Sequence, residues 1–459
     1  MPQSSTTVGQ AAWLAGDHHV HSEFSVEWDK SENPPTPVIG GKAKYSAERN
    51  ARMGRRFGLR WIVVTDHGGP DQSELNRSQA YPKLVRSRAA VPDVLQYYGM
   101  EFETPGAKHS TVILPRTDDE ADRLYDIDRA YGRKDAFPEQ PSRDTEDRML
   151  EALAAMRKLP HAPVVIANHP SRTAVDLGAY GLVSPRELRA WNDVAPSIAI
   201  GMEGAPGHQA SALNPNGSVN DAGFRGNYDE YPTLGGFDQM TARLGGFWDS
   251  MLGEGRHWWI TSTSDSHMHY SEGDRDFWPG EYSKTYVYAD ATYDAVLQGF
   301  RNGHVFVTTG DLISELYVTA ASEDDDSRAA IGDTLRIASG SSIRVTIRFL
   351  DPAGSNNHDD NPSVARVDLI IGLLTGPSMD RTQDSNPTTH VVERFAPDTW
   401  KHDGSYTVAT FVIKNVTDST YLRVRGTNGN ELEPEVDPPG EDPWTDLWFY
   451  SNPIFILVE

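Results

Sequence analysis

Short apolar runs recur through the first part of the chain, and most lead straight into a histidine or a carboxylate. Trp61-Ile62-Val63-Val64-Thr65 leads into Asp66-His67, residues 94–98 into Gly99-Met100-Glu101, and residues 164–167 into Asn168-His169-Pro170. Residues 198–200 lead into Gly201-Met202-Glu203 and residues 258–260 into Thr263-Ser264-Asp265-Ser266-His267, while His109 stands just ahead of residues 111–114. Uniformly apolar runs of this length predict strands buried on both faces. Their polar ends then share one rim, where parallel α/β folds build active sites.

Helical spacing fills the gaps. Residues 46–57 predict a helix with Ser46 as its N-cap and Gly58 beyond its end. Residues 145–158 place Met149, Leu150, Leu153 and Met156 at helical intervals, and Ser184-Pro185-Arg186-Glu187 is a capping-box signature. Residues 237–252 and 292–301 predict two further helices. The alternation predicts a mainly parallel α/β domain, and its length a barrel.

Around Gly310 the rhythm changes. Ile343, Val345, Ile347 and Phe349 alternate with Arg344, Thr346 and Arg348, the period of a half-buried strand. Residues 364–374, 406–413, 421–425 and 447–458 are strand-like runs separated by Gly, Asn, Asp and Pro clusters. The expected organisation is an α/β barrel over 1–312 and an antiparallel β-sandwich over 313–459. Glu323-Asp324-Asp325-Asp326 lacks the spaced ligands and glycine of a calcium loop and is expected to be a solvated turn.

Gly16-Asp17-His18-His19-Val20-His21-Ser22 brings in the chemistry. On a strand, His19 and His21 project to one side while His18 and Val20 point to the other. Two imidazoles aimed at a common point are costly without a cation. The polar stretch 22–41 that follows carries Glu23, Glu27 and Asp29 within reach of such a cation. The chain has no cysteine, which excludes disulfides and a cysteine nucleophile and leaves nitrogen and oxygen as metal ligands.

A net charge of −24 on 459 residues argues against a nucleic-acid surface and for a small-molecule substrate. No apolar run approaches a membrane span, and residues 1–16 lack the basic region and apolar core of a leader. The expectation is a soluble, cytoplasmic protein.

The candidate ligands His19, His21, His67, Glu101, His109, His169, Asp265 and His267 resemble, in order and local setting, those of the PHP (polymerase and histidinol phosphatase) family. The resemblance covers the chain to about Gly310 and implies a distorted (β/α)7 barrel with three metal positions. It implies a first ion on His19, His21, Glu101 and Asp265, with Glu101 bridging to a second on His109 and His169. A third would use His67 and His267 with a carboxylate from the loop after His21. The family pattern has an acid soon after H-x-H-Ser; here stands Ser25-Val26-Glu27-Trp28-Asp29, so Glu27 is the choice, with Asp29 the alternative. The cofactors implied are two or three divalent ions: manganese, zinc or iron.

Asp17 and Asp66 are expected to accept imidazole N–H groups and fix ring orientation. Arg172 is either an oxyanion ligand or a surface arginine, and His208 either a general acid or a structural histidine. Lys108 and His269 read as incidental neighbours of ligands, and Trp258-Trp259 as core. The expected reaction is metal-dependent hydrolysis of a small phosphodiester or phosphomonoester by a metal-bridging hydroxide. Arg301-Asn302-Gly303-His304-Val305-Phe306-Val307-Thr308-Thr309-Gly310 and Trp448-Phe449-Tyr450-Ser451-Asn452-Pro453-Ile454 resemble a PHP branch that includes carbaryl-hydrolase-type enzymes. That resemblance implies the alternative, hydrolysis of a carbamate or carboxylic ester. A third reading is a non-catalytic barrel whose metal serves only stability.

Overall fold

The computed structural model describes residues 11–228 and 230–459. Residues 1–10, which open the first expected domain and carry most of the expectation about a leader, lie outside them. No helix among the described residues is long and apolar enough to cross a membrane.

The molecule is mixed α/β, built on one large mixed sheet and a separate antiparallel sheet. Nine strands of the large sheet organise the site: β1 (Ala12–Val20), β2 (Trp61–His67), β3 (Leu95–Glu103), β4 (His109–Ile113), β5 (Val164–Ala167), β6 (Ala199–Ala205), β7 (Trp259–Ser262), β8 (Ser283–Ala289) and β9 (Val305–Thr309). β1, β2 and β3 pair in parallel, as do β5, β6 and β7. β4 is antiparallel to both β3 and β5, a departure from the mainly parallel expectation. The turn 104–108 joining β3 to β4 is too short for a crossover, so only an antiparallel hairpin can form there. That reversal brings His109, at the start of its strand, to the rim where the parallel strands end, opposite Glu103.

β1–β7 do not close through a continuous ladder among the described residues. Instead the far end curls back: Ser262 N donates to Thr285 Oγ1 (2.8 Å), which donates to Ser262 O (2.7 Å), and His21 N donates to Ser266 O (3.0 Å). The ends of β1 and β7 therefore lie side by side.

On the other side β8 runs antiparallel to β1, and β9 to β8. β9 then pairs with Trp448–Ser451, so the sheet continues from the first expected domain into the second. Five strands, Glu315–Ser322, Arg328–Ala330, Ser341–Leu350, Lys401–Asp403 and Tyr406–Val416, form the separate sheet. Ile343, Val345, Ile347 and Phe349 bury the face that alternation assigned to the interior. They share an apolar cluster with Val367, Leu422, Val424 and Phe449 of the large sheet.

Ser46, Thr145, Ser184 and Thr292 each cap a helix with the side-chain oxygen. The helix expected over 237–252 is two short pieces, Gln239–Ala242 and Phe247–Gly253. The backbone turns extended at Arg243, which ends the first piece, and Gly245, at φ +69°, redirects the chain into the second. The stretch 22–41 is more than a loop: Glu27–Asp29 pairs with Thr36–Val38, and Phe24 and Val26 pack on Leu75 and Ala80. Trp258 and Trp259 are core.

Candidate metal centre

His19 and His21 leave the end of β1 with a register shift between Asp17 and Val20, a one-residue bulge at the H-x-H motif. Gly16 precedes it because the Trp61 ring lies where a Cβ would stand, at 2.0 Å. His18 points away and contacts Thr261 Oγ1 (2.7 Å), and burial pushes its imidazole down to about 3.

The tautomers of the two inner rings follow from their partners. His19 Nδ1 lies 2.7 Å from Glu203 Oε1, an acceptor, so it carries the proton and Nε2 the lone pair. His21 Nδ1 lies 2.7 Å from Ser25 Oγ, whose hydroxyl is donated to Asp66 Oδ1 (3.1 Å), so His21 also leaves Nε2 free. These two Nε2 atoms face each other at 3.0 Å. Asp265 Oδ1 lies 3.2 Å from the first and 3.1 Å from the second, and Glu101 lies 3.3 Å and 3.7 Å from them. Two buried lone pairs and two carboxylates converging on one point fit a divalent cation.

A second convergence lies beside it. Glu101 Oε1 is 2.9 Å from His109 Nδ1 and 3.1 Å from His169 Nε2, so the one carboxylate faces both groups. His19, His21 and Glu101, and likewise Glu101, His109 and His169, bring one ligand atom each close enough together to hold a metal ion. Burial would raise the Glu101 carboxyl, but His109, His67 and His19 hold it well below its ordinary value. Burial opposes ionisation of Asp265 too, and His19 and His208 likewise hold it down. His169, His208 and Asp265 have φ of +30°, +59° and +49°, strained values for residues with a Cβ.

His67 and His267 approach each other at 3.0 Å between Nε2 atoms. Glu27 does not meet them. It stands exposed on its short strand, lines the cleft, and among the described residues makes no ion pair with either ring. Asp29 is exposed as well and accepts from Ser31 N, and Glu23 faces Lys83. The group that reaches His67 Nε2 from this part of the chain is Lys42.

The expected acceptor roles of Asp17 and Asp66 need correction. Asp66 accepts from Ser22 N (2.7 Å), Ser22 Oγ (2.8 Å) and Ser25 Oγ, and acts on His21 only through that serine. Asp17 accepts from His19 N (3.0 Å) and Ser264 N (3.1 Å), and burial pushes its carboxyl up to about 7. The direct acceptor for His19 is Glu203, which also accepts from His169 N (2.6 Å). Its signal was available: Gly201-Met202-Glu203 repeats Gly99-Met100-Glu101 after a run that predicts a strand. Asp276 plays a similar part for His208 Nδ1 and for His267 N (2.6 Å), and nothing in its polar loop announced it.

Arg172 aims both Nη atoms at Asp265 Oδ2 (3.2 Å each), and His208 Nε2 lies 2.9 Å from the same oxygen. Of the three residues expected to be catalytic, Arg172 and His208 are therefore at the centre, whereas Asp66 reaches it only through Ser25. Lys108, read as incidental, lines the same cleft, where burial followed by the Arg172 charge pulls its amine down to about 8. His269 pairs instead with Ser271 and Glu281.

The cleft has a volume of about 560 Å³; Glu101, His109, His169 and Asp265 open onto it, with Lys42, Lys44, Lys108, Arg172 and Arg275 around them and Glu27 and Asp274 the other acids of the wall. It adjoins a larger hollow of about 880 Å³ that includes Val26, Trp28, Pro35, Pro70 and Phe137 and shares Lys42, His67 and His109. No family model and no curated protein matches the chain. A fold alone does not fix a reaction, so function has to be read from these side chains.

Proposed function

We propose that the protein is a metal-dependent hydrolase of PHP type, with the curled β1–β7 run as its barrel, and that it cleaves small phosphoesters. The observation that carries the choice of substrate is the cleft wall. In a chain of net charge −24, Lys42, Lys44, Lys108, Arg172 and Arg275 converge on the cavity onto which Glu101, His109, His169 and Asp265 open, outnumbering the other acids of its wall, Glu27 and Asp274. A concentration of cations there suits an anionic substrate, and the volume suits a small one.

Divalent ions at the two positions would supply Lewis acidity and a water acidified to near neutral pH. His19, His21, Glu101 and Asp265 would hold the first; Glu101, His109 and His169 would hold the second. Arg172 offers a guanidinium edge to a phosphoryl oxygen once Asp265 is engaged elsewhere. His208, fixed through Nδ1 by Asp276, presents Nε2 as proton donor to the leaving oxygen. The adjoining hollow favours a second reading, because Val26, Trp28 and Phe137 give it apolar walls suited to a neutral aryl carbamate or ester.

A paired assay separates the two. Manganese- and zinc-loaded protein is offered bis-p-nitrophenyl phosphate, p-nitrophenyl phosphate and a 1-naphthyl carbamate, with His19→Ala as control. Phosphoester turnover that disappears in His19→Ala is the expected result. Turnover of the carbamate alone moves the protein to the second reading, and silence on all three with metal bound refutes both.

A further inference from the structure

The resemblance implies a third ion at His67 and His267, and the residues around that pair do not fit one. Lys42 enters from the bend after the 27–38 hairpin and places Nζ 2.5 Å from His67 Nε2. An ammonium only donates, so this nitrogen accepts and the ring proton sits on Nδ1, 2.6 Å from Glu101 Oε2. His267 Nδ1 lies 2.8 Å from the Asp265 carbonyl oxygen, which only accepts, so its lone pair is also on Nε2. Two buried lone pairs 3.0 Å apart need a positive charge beside them, and Lys42 already provides it.

A dication would be poorly served there. His21 lies within ligand distance of the pair, but its Nε2 belongs to the first position. Glu27, the carboxylate expected from the loop, makes no ion pair with either ring among the described residues. An added ion would also repel the ammonium. We propose that the Lys42 ammonium takes the place of a third metal ion, leaving a dinuclear centre with a lysine as its third positive charge. Lys42 lines both hollows, so its ammonium stands where the two meet. The inference rests on the metal-dependent reading above and deepens it.

The test is metal stoichiometry. Holoenzyme loaded with manganese or zinc is desalted and its metal per chain measured by mass spectrometry, beside Lys42→Glu and His67→Ala. Two ions are expected in the unmodified chain, two in His67→Ala, and three in Lys42→Glu, where a carboxylate completes a site with His67 and His267. Three ions in the unmodified chain, one of them lost in His67→Ala, overturn the lysine inference and leave the hydrolase reading intact. Folded Lys42→Glu that stays at two overturns it as well. Fewer than two in the unmodified chain overturns the dinuclear reading itself and this inference with it. If Lys42→Glu does not fold, the other two counts decide alone.

Discussion

Glu203 is the sharpest place to perturb the centre, because it touches no substrate position and yet fixes a ligand. Its Oε1 accepts from His19 Nδ1 at 2.7 Å and its Oε2 accepts from His169 N at 2.6 Å, with the residue fully buried. Glu203→Gln keeps the shape and replaces one of these acceptors with an amide that only donates. If the amide faces His169 N, two donors meet. If it faces His19, the ring must take its proton on Nε2 and loses the lone pair aimed at the first ion. Either outcome weakens the centre, and loss of a group that orients a ligand typically costs 10–100-fold in metal affinity, about 1.4–2.8 kcal/mol. Chelator-competition titration with manganese or zinc measures it, with circular dichroism as the check on folding. Affinity within about threefold of the unmodified chain would refute the tautomer argument, since a tenfold loss is the least that mechanism predicts.

Away from the centre, Arg423 Nε and Nη2 meet Asp249 Oδ1 and Oδ2 at 2.8 Å each, both residues fully buried, tying the strand Thr420–Thr427 to the helix Phe247–Gly253. Asp249→Ala strands the guanidinium and is expected to destabilise by about 3–5 kcal/mol in chemical denaturation; a loss under about 1 kcal/mol, the range of an exposed pair, would contradict the burial. Burial, reinforced by Glu146, pushes the Glu187 carboxyl up to about 8. A folded pKa above the unfolded one means the native state holds the extra proton, so this contribution is intact below about pH 4.5 and is lost as pH rises through about 8. Glu187→Gln is therefore expected to match the unmodified chain in melting temperature at pH 4 and exceed it at pH 8.5; an equal difference at both would count against the shift.

Periodicity and capping made the site-bearing strands and four of the helices legible, because backbone geometry fixes which side chains share a face and serine or threonine oxygens satisfy free N–H groups locally. The rim histidines and carboxylates were legible for the same reason. Two helices, Tyr81–Ala90 and Glu120–Tyr131, escaped because the faces they bury include charged side chains, Arg88, Glu120 and Asp128, and the helix expected over 237–252 is broken where the backbone turns extended at Arg243. The antiparallel β4, the sheet that runs from β9 into Trp448–Ser451, and the placement of Glu27 and Lys42 depended on contacts between distant segments. Sequence alone determined which residue types were on offer and which strands would end in them. Only the tertiary structure decided that Glu203 rather than Asp17 holds His19, and that a lysine rather than an acid of the 22–41 stretch meets His67 Nε2. Loop side chains are placed by what packs beneath the loop, here Phe24 and Val26 on Leu75 and Ala80, and no local periodicity encodes that packing.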